Sequence, residues 1–215
     1  MRGRASWGAI VGAAAAVLLL AGCGGKDHSG STGFGFLFDH NAQFNGGRTV
    51  RWGAVPITVF LGNGVASADE VTVWTSETGG AVTFSFVGSA AGAGIVFRFR
   101  SGTDICGVTN VLFTEDGFIT SADVQVSRAI YRGPQCVRTV THESAHAIGF
   151  LDHTSDGGLM DPDGGNGEIT APVAQMLRDL YSLAPGTVVS AERRRLAERR
   201  PGRVHSMTFV YPVRR

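Results

Sequence analysis

T-H-E-S-A-H-A-I-G-F-L-D-H-T-S-D-G-G-L-M-D-P, running from Thr141 to Pro162, decides how the rest of the chain is read. His142 and His146 stand four apart, so on a helix they share one face and both imidazoles can reach one metal ion. Glu143 lies beside the first of them, where a carboxylate can take a proton from water that the metal acidifies. Gly149 suits a helix end that turns back through a left-handed residue. Beyond it, Asp152 and His153 each offer a third ligand, and Gly157-Gly158 permit a tight turn ahead of Met160.

This stretch resembles the metzincin clan of zinc endopeptidases, the matrixin branch in particular, whose pattern is H-E-x-x-H-x-x-G-x-x-H followed by a methionine turn. It departs at one point: the expected third-histidine position holds Asp152, and the histidine comes one residue later. Carboxylate oxygen binds zinc at about 2.0 to 2.2 Å, and a snapalysin-like aspartate at that position is the alternative ligand. Three considerations favour His153. Bacterial matrixin-like sequences often place the histidine one residue later. The segment after Gly149 has left the helix and can absorb an extra residue. Neutral imidazole leaves zinc its full charge, with Asp152 then free to orient a ligand ring.

The resemblance implies an α+β, metzincin-like catalytic domain. It would have a twisted, mixed five-stranded sheet packed on helices, a zinc-binding helix, a Met-turn and a C-terminal helix. It implies Zn2+ held by His142, His146 and His153 (or Asp152), with Glu143 as the general base in peptide-bond hydrolysis. Met160 would form a hydrophobic base beneath the ligands without binding zinc, and residues 158–162 would line a substrate pocket. A gluzincin-type site with Glu168 as a distant third ligand is a rival, for which Gly149 and the methionine turn would have no use. A rival of another class keeps the fold only for binding or adhesion, and the presence of Glu143 speaks against it.

The 215 residues have room for one ordinary domain with terminal extras. Residues 1–22 read as an address: Arg2 and Arg4, an apolar run from Ile10 to Ala21, then L-A-G-C ending at Cys23. This looks like a bacterial lipoprotein signal, so Cys23 is the expected lipidation site and the expected location is the cell envelope, facing the periplasm or exterior. The apolar run is short for a membrane-spanning helix. Residues 23–46 are assigned to the lipidated cysteine and a flexible tether, 47–186 to the peptidase domain and 187–215 to a basic tail. With Cys23 modified, Cys106 and Cys136 remain, and an exported chain with two cysteines most simply joins them.

Between tether and metal motif the periodicities predict strands and one helix. Phe34, Phe36 and Phe38 alternate as in a short strand or aromatic plug. Residues 50–61 read as a strand with its β-branched centre at Ile57 to Phe60. Ser67 and Glu70 form a capping box for a helix that carries Val71 and Trp74 inward and stops at Gly79-Gly80. Residues 81–87, 94–100, 107–113 and 118–126 follow as strands, the last two joined by a turn at Glu115-Asp116-Gly117. In matrixins the fourth strand edges the cleft and pairs with extended substrate, a role the resemblance gives to Gly107, Val108, Thr109, Asn110, Val111, Leu112 and Phe113. An interior strand is the plainer reading of the same residues.

After the methionine, Thr170-Ala171-Pro172 opens a helix whose Val173, Met176, Leu177, Leu180 and Tyr181 form one apolar stripe ended by Ala184-Pro185-Gly186. The tail carries eight arginines against Glu192 and Glu198, while the whole chain sums to +1. A solvated helix or disordered extension is the plain reading of such a run, and attraction to anionic lipid headgroups or nucleic acid is the other. The balanced total gives the whole chain no global nucleic-acid signature, and no nucleic-acid partner is expected. Residues 207–213 could add a strand, with no partner fixed by the sequence. The partners expected are therefore a protein or peptide substrate and the membrane through Cys23.

Overall fold

Alternating apolar residues build the sheet. In the computed structural model, which describes residues 33–162, 165–189 and 203–213, the strands are β1 (Ile57–Leu61), β2 (Phe84–Phe86), β3 (Ile95–Arg100), β4 (Ile105–Thr114), β5 (Ile119–Ser127) and β6 (Val204–Pro212). The helices are α1 (Phe34–His40), α2 (Ala68–Glu77), α3 (Thr139–Ala147) and α4 (Ala171–Ser182). Cys23, the leader and residues 190–202 of the arginine-rich tail lie outside the described residues.

The fold is α+β around one mixed sheet of order β2-β1-β3-β5-β4-β6. Strands β2, β1, β3 and β5 run parallel, and β4 is antiparallel to both of its neighbours. Val59, Phe97, Val111 and Val124 are fully buried and share one core with Val71 and Trp74 of α2 and Val140 and Ala145 of α3. The tight link between β4 and β5 turns through Gly117 at φ 82°, where an added Cβ would run into Thr49 O. α2 opens as the capping box predicts, with the Ser67 N–H donating to Glu70 Oε2 at 2.8 Å.

Three expectations change. The sheet has six strands rather than five, because the segment expected only as a possible strand near the C-terminus pairs along the whole of β4. Residues 107–113 are therefore an interior strand between β5 and β6, and the edge role does not hold in this arrangement. The ordered body also begins ahead of residue 47, since the aromatic run 34–38 is part of α1 and not a strand. In the helix Leu37 turns fully inward, and His40 stacks on Phe150 with centroids 5.1 Å apart. Asn41 then bonds in three directions: its amide N–H groups donate to Val50 O and Gly149 O, both at 2.7 Å, and Val50 N–H donates to its Oδ1 at 2.8 Å.

Cys106 and Cys136 are joined, with Cα atoms 5.4 Å apart. The bridge ties the start of β4 to the segment that enters α3. No helix among the described residues is long and apolar enough to cross a membrane.

Candidate metal centre

Every residue of α3 is buried, so its polar groups need partners inside the protein. Two indoles supply them for the backbone: Trp74 Nε1–H donates to Thr141 O (3.1 Å) and Trp52 Nε1–H to Ala147 O (2.8 Å). The Thr141 hydroxyl donates to Glu70 O at 3.0 Å, which fixes α3 against α2. Just past the helix, after its C-cap Ile148, Gly149 sits at φ 107°, where a Cβ would meet Val50 O at 2.8 Å. The left-handed turn expected there from the sequence is thus a backbone requirement.

Two histidines project from this anchored helix, and both are fully buried. His142 Nδ1 lies 2.7 Å from Leu159 O, and His146 Nδ1 lies 2.7 Å from Phe150 O. A carbonyl can only accept, so each Nδ1 carries the proton and each Nε2 presents a lone pair. Those two Nε2 atoms are 3.2 Å apart, and His142 Nε2 is 3.3 Å from His153 Nε2. The first of these pairs brings two acceptors together with no proton between them, an arrangement that repels unless a cation sits there. For nitrogens about 2.0 to 2.1 Å from a tetrahedral ion, the mutual spacing is about 3.3 to 3.4 Å. The residues therefore fit a metal ion.

Desolvation keeps all three rings neutral, which is the ligating form. Burial lowers the pKa of His142 to about 3, against the bond to Leu159 that supports the charged form. Burial and the neighbouring rings hold His146 well below its ordinary value. His153 is also lowered, chiefly by burial.

The triad of His142, His146 and His153 could hold a metal ion, with candidate ligand atoms all within 4.8 Å of one another. Asp152 is not among them. It turns away toward His40, with Nδ1 and Oδ2 3.5 Å apart. Burial pushes its carboxyl up, but the His40 contact and the His153 N–H bring it below its usual value. Glu168 also stands apart: its exposed side chain accepts from Asn166 Nδ2 at 3.0 Å. Met160 is fully buried, and its carbonyl accepts the Thr154 N–H at 2.9 Å, closing the loop that follows His153.

Glu143 is buried against β4. Its Oε2 accepts from the Thr109 hydroxyl at 2.5 Å, and Oε1 has no hydrogen-bond partner among the described residues. Desolvation raises its pKa to about 8, against the Thr109 bond that favours the anion. Gly107 makes room for it, since a Cβ there would lie 2.6 Å from Glu143 Oε1 and 2.8 Å from Thr139 Cγ2. Sequence reasoning named Gly107 and Thr109 only as parts of an edge. The available signal was a glycine inside a β-rich run, which often marks close approach of another group.

The remaining wall comes from β6. Tyr211 stacks on His142 with centroids 4.0 Å apart and planes at 4°, and Phe209 stacks on His146 at 4.3 Å and 8°. The Tyr211 hydroxyl donates to Val137 O at 3.2 Å. Comparison of the chain with protein-family models and with curated proteins gives no match.

Proposed function

We propose that this chain is a matrixin-like zinc endopeptidase, lipid-anchored through Cys23 at a bacterial cell envelope, that hydrolyses extended protein substrates. The observation that carries the reading is the convergence of three neutral imidazoles, two with their tautomer fixed by a backbone carbonyl, with His142 Nε2 at zinc-ligand spacing from both of the other rings and all three ligand atoms within 4.8 Å of one another. Zinc there would polarise a peptide carbonyl and acidify water.

The chain's own residues supply the rest. His142, His146 and His153 hold the ion while Leu159 O and Phe150 O keep the first two rings in the ligating tautomer. Glu143 takes a proton at its free Oε1 and passes it to the leaving amine, while Thr109 holds Oε2 in place. A pKa raised to about 8 keeps Glu143 protonated in the metal-free protein. A dication nearby favours the carboxylate and so readies it as a base.

A binding or adhesion protein with a structural metal is the second reading, favoured by the cover that Phe209 and Tyr211 place over the histidines. One experiment separates the two. Glu143→Ala should retain near-stoichiometric zinc by elemental analysis while casein cleavage falls at least about 100-fold. Equal cleavage by parent and variant would sink the assigned mechanism, and zinc binding without cleavage in the parent and in F209A/Y211A alike would favour the binding protein.

A further inference from the structure

The buried side chains of β6 lie directly on the candidate metal ligands, while Phe209 also belongs to the main core and Tyr211 to a small cluster with Cys106 and Cys136. Of its nine residues only Phe209 and Tyr211 are buried, and each lies flat on a histidine of the triad. Its other attachments include the backbone ladder to β4, the Tyr211 hydroxyl bond to Val137 O, the Asn110–Thr208 side-chain bond, a His205–Glu115 contact at 3.6 Å, the stacking of His205 on Phe113 at 5.4 Å and the packing of Met207 against the core. A ladder needs backbone groups and no particular sequence, so any extended peptide can replace it.

β4 itself does not depend on β6 for its position. It is paired to β5 along residues 107–113 and bridged to the entry of α3 through Cys106. Removing β6 would leave β4 in place with an unpaired edge beside His142 and His146. Gly107 lies opposite Tyr211 and Thr109 opposite Phe209, so the two aromatic positions flank the residues that contact Glu143.

We propose that β6 is an exchangeable occupant of a peptide-binding groove formed by β4 and the histidine triad. The groove takes in its place an extended peptide, antiparallel to β4, with aromatic side chains at alternate positions. This rests on the peptidase reading only for its consequence, which is that the C-terminal strand restrains the enzyme. Such a peptide competes with a tethered strand whose effective concentration is on the order of millimolar. Exchange is therefore weak in the intact chain and strong once the tethered strand loses its anchors.

The test uses the full chain and a fluorescent peptide of residues 203–213, read by polarisation. F209A/Y211A should bind the peptide at least about 10-fold more tightly than the parent, because the groove is unchanged and its competitor weakened. N110C/T208C, oxidised to lock two residues already paired across the strands, should bind it at least about 10-fold more weakly. The same peptide with both aromatics replaced by alanine should lose at least about 10-fold toward F209A/Y211A. Equal binding by parent, locked and weakened chains would overturn the proposal. So would loss of the folded state in F209A/Y211A by circular dichroism, since β6 would then be integral to the fold. Casein cleavage by the same proteins is the separate readout. A chain that exchanges the peptide but cleaves nothing loses the peptidase reading and keeps the groove. Equal cleavage by the locked and parent proteins removes the restraint and leaves the peptidase.

Discussion

Replacing His153 by alanine removes one of the nitrogens that face a common centre, whereas replacing Asp152 removes a carboxylate whose contact is with His40. Metal content after dialysis against a mild chelator should therefore fall far more in His153→Ala than in Asp152→Ala. The reverse order would return the third position to the aspartate. Glu143 gives a second prediction, for the metal-free protein. Its carboxyl holds a proton up to about pH 8 when folded, against an ordinary value of 4.5. The folded state thus binds more protons between those values, and its stability falls as pH rises from about 4.5 to about 8. Glu143→Gln should flatten that part of the profile in denaturant titrations. Parallel profiles would contradict the buried, protonated carboxyl. Lowered histidine pKa values cost stability on the acid side in both proteins, so the difference between them isolates Glu143.

Elements here are held by single polar residues as much as by apolar stripes. Asn41 joins the end of α1 to Val50 and to Gly149 just after α3, and it is fully buried. Asn41→Ala would leave a buried N–H and two carbonyls short of a partner, at about 1 to 3 kcal/mol for a buried group deprived of its bond. A lowered denaturant midpoint with an unchanged slope is expected, and no shift would mean the segment is only loosely attached. Elements with local signals were legible: the capping box of α2, the apolar stripe of α4, and the paired histidines and Gly149 that define α3. α1 was not, because F-G-F-L-F alternates like a strand, and only contact with Phe150 and α4 selects a helix. The partner of β6 was illegible for a different reason. A strand's sequence fixes which face is apolar, but its neighbour is set by packing across the whole chain. At the site the histidines were readable from spacing, while the fit of Gly107 and Thr109 to Glu143 depends on the distance between β4 and α3.

At the scale of the molecule, one covalent link governs how the sheet meets the helix that carries His142 and His146. The Cys106–Cys136 bridge spans 30 positions of sequence, and closing a loop of that size stabilises the fold by roughly 3 to 4 kcal/mol in the chain-entropy model. Double replacement by serine should lower the denaturant midpoint by a corresponding amount. It should also weaken metal retention, because β4 and the start of α3 would no longer be tied. A variant of unchanged stability would show that packing alone sets the approach of β4 to α3. The pairing of β4 with β6 has a consequence in time. Asn110 and Thr208 are separated by 98 positions, so this pairing closes late both in synthesis and in folding, after the local β4–β5 hairpin. Until β6 emerges, the two histidines of α3 have no aromatic lid. An ion that arrives in that interval enters by an open door, and one that arrives afterwards must wait for the door to swing.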